Sequence, residues 1–509
     1  MSLKRRAISN VSAAWICLLI HTLVSFLLSP FILHRLGDAA FGIWVLIFSL
    51  TGYFGLLDLG IRSSIVRFAA DAAASGNEMQ LQRLFATSLY FYSGMAVIVM
   101  MLTAIGCYYL PEFFKIPLQL LRPARLLFLS TGMGVALTLP LSVSAGVLEG
   151  LQNFARVQIA QCAFTVLRGA AVAVVLAKGG GLLTVGFMTV GTNLTSYVVL
   201  MCMVSKRISL SASIDSVDFG ILRKMMAHGA FAFIMIIAEK LRFQSDAILI
   251  GAFLSPSAIV LYAISSRLAE YSSYAVRSMA QIFTPMASQF HAIGDKQQVQ
   301  RVLLTGNRAC ALIVFPVVSA FVMLGRSIIE VWVGPKYVSG YVVLVILIIP
   351  RALYLAQSAS TKVLLGTGRH QMLASALLLE GVVNLLLSLV LLPRLGIVGV
   401  AVGTALPLVC TSLFFLPQHV TRRLDVPLTL FIKNTFVSPI GFCIPLIVVL
   451  WYLTYRFPAH HYVALVGQLC VGATVYVATL TMSFVLAAPK GTFLVRGITH
   501  LLEPQYEQK

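Results

Sequence analysis

The sequence predicts an all-α, polytopic membrane protein of about fourteen transmembrane helices, and three observations carry that prediction. Only 11% of the residues are charged and the mean hydropathy is +0.93, whereas a soluble surface needs about a quarter of the residues charged. Apolar runs of roughly twenty residues recur, as in WICLLIHTLVSFLLSPFIL (15–33) and YVVLVILIIPRALYLA (341–356, with apolar flanks). Each can cross a hydrocarbon core about 30 Å thick. The basic residues, finally, segregate to alternate loops.

In chain order the expected spans are 11–34, 40–62, 83–110, 121–148, 153–177, 181–205, 227–253, 257–288, 299–325, 338–361, 370–392, 396–417, 435–456 and 461–488. Only the turn PRLG (393–396) separates the eleventh from the twelfth. With an even number, both termini lie on one side. That side holds Lys4, Arg5, Arg6, Arg67, Arg83, Arg156, Lys206, Arg207, Arg223, Lys224, Lys296, Arg301, Lys362, Arg369, Arg422, Arg423, Lys433, Lys490 and Arg496. The other holds about half as many: Arg35, Lys115, Arg122, Arg125, Lys178, Arg326, Lys336, Arg394 and Arg456. The excess of Lys and Arg marks the cytoplasmic side, so both termini are expected there.

The net charge of +20 fits cationic loops against an anionic leaflet, and no nucleic-acid partner is expected. The eight Cys lie in or beside apolar segments without metal-ligand spacing or a CxxC pair, so they read as small buried apolar residues. MSLKRRAISN lacks a small-residue cleavage site and leads into a full span, which is the pattern of a signal anchor. Outer loops are short, and no paired-carboxylate or metal site is present, which excludes a membrane glycosyltransferase or polymerase. No enzyme activity and no cofactor are expected.

The longest inner connection, KRISLSASIDSVDFGILRKMMAHG (206–229), pairs Val217, Leu222 and Met225 with Arg223 and Lys224, and reads as a helix lying in the interface. It also divides the chain near its middle. At an offset of 218, ASGNEMQLQRLFATS (74–88) falls on AIGDKQQVQRVLLTG (292–306), and Trp44 falls on Tyr262. LEG (148–150) falls on LLG (364–366), and VGT (190–192) on VGT (402–404), at nearby offsets. The expected organisation is a lobe at 1–205, an amphipathic linker at 206–226, a second six-helix lobe at 227–420, and two further helices with the C-terminus at 421–509. Units of six spans share orientation, so the lobes are expected to be related by an axis along the membrane normal, with a path between them.

Charges at bilayer depth cost about 2.5–3.5 kcal/mol each and default to pairing or lining a cavity. In span eight Arg267, Glu270, Tyr271, Tyr274, Arg277, Ser278 and Gln281 form one helical face. Arg267 has Glu270 at i+3, while Arg277 has no carboxylate at comparable spacing. Glu239, Arg242 and Asp246 share a face in span seven. Arg351, Tyr354, Ser358 and Thr361 do so in span ten, and Gln158, Gln161, Thr165 and Arg168 in span five. Asp58 and Arg62 stand at i,i+4 as a candidate pair, and Glu380 with Asn384 as candidate ties between helices. Stripes that each contain an Arg imply a cationic cavity and an anionic cargo, because the guanidinium fork matches phosphate. Tyr271, Tyr274 and Tyr354 add surfaces that could stack on sugar rings.

DLGIRSSIVRFAADAAASGN, LEGLQNFARVQIAQ, DAILIGAFLSPSAIVLYAISSRL and LLPRLGIVGVAVGTAL resemble stretches of the polysaccharide-transporter flippases, the Wzx-type translocases of the multidrug/oligosaccharidyl-lipid/polysaccharide (MOP) exporter superfamily. The resemblance implies two six-helix lobes around a V-shaped central cavity, with cytoplasmic termini in a bacterial inner membrane. It implies flipping of undecaprenyl-pyrophosphate-linked oligosaccharide from the cytoplasmic to the periplasmic leaflet by alternating access. Cationic cavity residues of the family are thought to engage the pyrophosphate and acidic sugars. Arg267 and Arg277 would be such residues here, followed by Arg242, Arg351 and Arg168. Glu239, Asp246 and Glu270 would serve proton or sodium coupling. A monomer is expected, with polysaccharide polymerase or assembly proteins as further partners. The alternatives are a lipid II flippase and a drug/cation antiporter of the multidrug-extrusion (MATE) type.

Overall fold

The computed structural model describes residues 3–206, 213–369 and 371–487, with side chains from 15 to 483. The side chains of Lys4, Arg5 and Arg6, residues Arg207, Lys490 and Arg496, and linker positions 207–212 lie outside the described residues. Among the described residues all regular structure is helical. In chain order the helices are α1 (Leu3–Leu36), α2 (Asp38–Gly52), α3 (Ile61–Ala74), α4 (Glu78–Phe113), α5 (Leu118–Gly150), α6 (Phe154–Ala177) and α7 (Leu182–Ser205). There follow α8 (Phe219–Phe243), α9 (Ser245–Phe253), α10 (Pro256–Ala280), α11 (Phe283–Ala292), α12 (Lys296–Val333), α13 (Tyr341–Ala356) and α14 (Ser358–Gly366). The chain continues through α15 (Gln371–Cys410), α16 (Leu416–Leu424), α17 (Leu428–Ile432), α18 (Ser438–Arg456) and α19 (Tyr462–Ala487).

The protein is a multi-pass membrane protein. Among the described residues, twelve helical stretches are long and apolar enough to cross a bilayer. Two features account for the difference from fourteen. The α15 run of 40 residues would be about 60 Å long if straight, twice a hydrocarbon core. It folds back at Gly396, whose φ of 58° and ψ of −137° are not helical. Beyond the turn, Ser388 Oγ lies 3.4 Å from the Val400 carbonyl, so the PRLG turn joins two packed antiparallel helices as the sequence indicated. The other feature is α10, which is absent from the twelve because its polar face dilutes its hydropathy.

The linker differs from expectation. Asp218 caps α8, its Oδ1 accepting the N–H groups of Gly220 and Ile221 at 2.7 and 3.1 Å. From that cap the helix runs unbroken to Phe243, so residues 219–226 are its first turns rather than a separate surface helix. An Asp N-cap starts a helix, and nothing between Phe219 and Phe243 stops it.

Packing divides the chain into two compact units, one comprising Met1–Ile264 and Ala374–Pro407, the other Ser265–Leu373 and Leu408–Lys509. The first has a core of Ile61, Ile65, Leu84, Phe85, Tyr92, Val143, Val147 and Leu200. In the second, Val314, Leu324, Leu344, Ile348, Val363 and Leu364 are buried.

The 218-residue offset recurs in local geometry within each unit. Gly76 and Gly294 both turn the chain with left-handed φ, 65° and 76°. The next residue of each is an N-cap: Asn77 accepts from Gln80 N at 2.9 Å and Asp295 from Gln298 N at 3.0 Å. Close packing repeats as well. A Cβ on Gly150 would lie 2.6 Å from Ala69 Cβ and 2.7 Å from the Val66 carbonyl. One on Gly366 would lie 3.1 Å from Ala287 Cβ and 2.5 Å from the Thr284 carbonyl. Ala287 and Thr284 are Ala69 and Val66 displaced by 218. Small residues allow such backbone approach where helices associate without a hydrophobic drive.

Gly150→Leu and Gly366→Leu should therefore each destabilise the protein by at least about 1–3 kcal/mol through overpacking. Gly94→Leu, where a Cβ meets nothing within 4 Å, should be tolerated. Thermal unfolding of the purified protein in detergent checks this, and equal midpoints for all three would refute the packing.

Candidate functional site

Pro256 starts α10, and Ser255 Oγ accepts the Ala258 N–H at 3.2 Å. Along the second unit's part of this helix one side is buried: Leu268, Ala269, Ser272, Ser273, Val276 and Ala280. Ser272 and Ser273 donate back to the carbonyls of Ala269 and Glu270 at 2.7 and 2.5 Å, which lets hydroxyls enter that packing without open hydrogen bonds. The opposite side carries the expected stripe. Glu270 and Arg277 are exposed, and Arg267, Tyr271, Tyr274 and Ser278 are half-buried. The helix ends at Ala280, so Gln281 belongs to the turn before α11.

The tyrosines form a small aromatic cluster. Tyr271 lies 6.0 Å from Tyr274 and 6.3 Å, edge-on, from the buried Trp332 of α12. These separations suit favourable ring pairs. Lys362 of α14 lies within electrostatic reach of Arg277, so a second cation accompanies the first.

Arg242, Asp246 and Glu380, by contrast, are buried together in the first unit. Arg242 Nε lies 2.5 Å from Glu380 Oε1, with both side chains almost wholly enclosed. Asn384 Nδ2 donates to the Arg242 carbonyl at 3.0 Å. Tyr262 donates to Asp246, and the Thr404 hydroxyl lies 3.3 Å from both Asp246 oxygens and 3.1 Å from Asn384 Oδ1. The face expected for Glu239, Arg242 and Asp246 does not form as such. Glu239 is exposed and Arg242 buried on α8, and Asp246 is buried on α9 beyond the break between Phe243 and Ser245. The expected face of span ten is interrupted in the same way. Arg351 and Tyr354 are half-buried on α13, and Ser358 is buried beyond the break at Gln357.

Asp58 and Arg62 do not stand one turn apart on a single helix either. Leu59 and Gly60 both take left-handed φ, 48° and 73°, ending one helical segment and starting another. Asp58 accepts from Tyr92 at 2.5 Å, and Arg62 bridges to Glu149 of α5 at 2.9 Å. Gln158, Gln161, Thr165 and Arg168 do line one cavity, shared by α6 with α1 and α7. Sequence reasoning missed Trp332, the role of Lys362, and Arg308. Arg308 is half-buried in the middle of α12, with its Nε buried and without a hydrogen-bond partner among the described residues. The rule that singles out charges inside apolar runs reaches Arg308 in GNRACALIV.

The family described as polysaccharide biosynthesis protein matches residues 32–341. The chain belongs to that family. Two relatives are each 22% identical to the chain. One is the uncharacterized membrane protein EpsK of Bacillus subtilis, matched over 85% of this chain and 86% of the relative. The other, from Haloferax volcanii, is named a probable low-salt glycan biosynthesis flippase, Agl15, and is matched over 43% of this chain. The chain spans about half the length of that archaeal relative, 48%. Among solved structures, the lipid II flippase MurJ in an inward closed conformation has a TM-score of 0.71 at 14% identity, covering 92% of this chain and 99% of MurJ. An inward-facing multidrug resistance MATE transporter of the MOP superfamily has a TM-score of 0.66 at 13% identity, covering 82% and 98%. The all-helical fold is that of these transporters.

Removing one member of the buried Arg242–Glu380 pair strands the other charge. Glu380→Ala should cost about 3–5 kcal/mol, and Arg242→Met with Glu380→Leu should recover most of it. Denaturation of the purified variants reads both, and a double variant no more stable than the single would overturn the pairing.

Proposed function

We propose that the protein is a flippase. It moves polyprenyl-pyrophosphate-linked oligosaccharide repeat units from the cytoplasmic to the periplasmic leaflet of a bacterial inner membrane by alternating access, with both termini in the cytoplasm. The observation that carries the reading is the α10 face. A helix of a multi-pass membrane protein exposes Glu270 and Arg277 along one side while its other side is packed. Such a face is affordable only against water or a polar cargo.

The chemistry of the face favours an anion bearing sugars. Arg267 and Arg277 offer forks to phosphate oxygens, and Lys362 beside Arg277 sets up a repulsion that a pyrophosphate relieves. Tyr271 and Tyr274, with Trp332 behind, supply ring faces for pyranoses. Arg351 and Tyr354 would extend the contact, and Arg168 would serve apart from it. Glu270, Glu239 and Asp246 are the candidates for coupling to a proton or sodium gradient. Of these Asp246 sits in the enclosed network, where a change of protonation has the largest consequence for packing. The names and folds of the relatives agree with this reading, the archaeal flippase and MurJ most directly. A MATE-like drug antiporter accords less well with an arginine-bearing face.

Arg267→Ala and Arg277→Ala should each lower translocation about tenfold or more, the equivalent of one lost charge-assisted hydrogen bond. The assay is complementation of a flippase-deficient strain, with lipid-linked oligosaccharide measured in each leaflet. Normal export by both variants at wild-type membrane levels would sink the proposal.

A further inference from the structure

The first unit holds a polar cavity away from α10. About 370 Å³ in volume, it lies among α1, α6 and α7 and is lined in part by the carboxamides of Gln158, Gln161 and Asn193. A space of that size and polarity admits water. Two cysteines open onto it, Cys17 from α1 and Cys162 from α6. Both are half-buried, and both are free thiols. They are thus not the small buried apolar residues that cysteines in apolar segments usually are.

The seam between the two helices is close and in register. Cys17 precedes Val24 by seven residues, and Cys162 precedes Gly169 by seven. Two turns separate the positions on each helix, and the two spans, the first and the fifth, cross in the same direction. A Cβ on Gly169 would lie 2.7 Å from Val24 Cγ1, so the glycine lets α6 approach α1 at one of these pairs. At the other, Cys17 Sγ lies 3.5 Å from the Gln158 carbonyl oxygen. It already reaches the α6 main chain, one turn before Cys162. The two thiols stand within interaction reach of each other. Such a seam suits a disulfide, which needs its Cα atoms within about 7 Å. Most of α1 is unburied, and it packs chiefly on α6. A bond here would join it to its main support.

We infer that Cys17 and Cys162 are a redox-active dithiol, a modification site that hydrogen peroxide closes reversibly to a disulfide. In the first step one thiolate attacks an oxygen of the peroxide and the O–O bond breaks. The other oxygen leaves as hydroxide and takes up the proton that the thiol released, giving water. The sulfur, oxidised by two electrons, becomes a sulfenic acid. In the second step the partner thiolate attacks that sulfur. The S–S bond forms, the S–O bond breaks, and a second water leaves with the partner's proton. The sum is two thiols and one peroxide giving one disulfide and two waters. Exchange with an external dithiol reverses it. In a reducing compartment the pair stays open and closes only under oxidant, as intracellular redox-sensing disulfides do. The site does not depend on the flippase reading.

The test uses the full chain in nanodiscs, fully reduced and then exposed to hydrogen peroxide, with free thiols counted by a maleimide after denaturation. The eight thiols of the chain are expected to fall by two, and a reducing dithiol to restore them. Peptide mapping by mass spectrometry should find the Cys17 and Cys162 peptides joined, at least about tenfold more abundantly than any other pair, because the two thiols are held at high effective concentration. That measurement is made on the unmodified protein and so does not depend on how a variant folds. Cys17→Ser and Cys162→Ser should each abolish the link and the paired loss of thiols. Eight thiols left intact would overturn the inference. So would a link joining a different pair, oxidation confined to the exposed Cys202, Cys410 and Cys470, a loss that the dithiol does not reverse, or a paired loss that persists in Cys17→Ser.

Discussion

Everything distinctive about this protein follows from the cost of a charge in hydrocarbon. With so few charges in the chain, each one inside a span must be neutralised, hydrogen-bonded or kept wet. The structure uses two solutions side by side. In the first unit, Arg242 and Glu380 are pressed together, Tyr262 and Thr404 close on Asp246, and Asn384 links Thr404 to the Arg242 carbonyl, so the charges are consumed internally. Along the second unit's part of α10 the charges stay at the surface, and Glu270 and Arg277 remain exposed. A closed network stabilises an arrangement of helices, whereas an open face implies an environment that is itself polar. That contrast, more than the number of arginines, is what separates a structural charge from a candidate functional one here.

The internal duplication sharpens the contrast. Subtracting 218 from Arg267, Glu270, Tyr274 and Arg277 gives Ser49, Gly52, Leu56 and Leu59. The scaffold positions of the repeat, namely the left-handed glycines, the Asn77 and Asp295 caps and the tight contacts of Gly150 and Gly366, have stayed alike. The α10 face has not. One copy of the element carries uncharged residues where the other carries the stripe. Packing and capping constrain both positions equally, while the charges of the stripe stand at one of them alone.

Much of this was legible in the sequence because the bilayer enforces simple rules. Span length, the PRLG hairpin, the α10 stripe and the repeat all follow from hydropathy and helical period. What the sequence concealed lies wherever a helix is interrupted. Spacing arguments assume a continuous 3.6-residue repeat, and the breaks after Phe243, at Gln357 and at Leu59–Gly60 each cancel that assumption. Hence Asp58 accepts from Tyr92 and Arg62 forms its salt bridge with Glu149, a partner far off in sequence, while Asp58 and Arg62 stay within electrostatic reach of each other. Arg242 likewise meets Glu380 through tertiary packing that no local pattern encodes. Trp332 and Lys362 escaped notice because their roles depend on which helix lies beside them. Arg308 was within reach of the same rule that found the others.

The central claim is that α10 presents a water-accessible face at membrane depth. The most direct measurement is single-cysteine scanning from position 266 to 280 in a cysteine-free background, with a charged, membrane-impermeant thiol reagent applied to open membrane fragments. The account predicts labelling that rises at 270, 274, 277 and 278 and falls at 268, 269, 272, 273 and 276. Uniform protection along the helix, or labelling without a helical period, would contradict it.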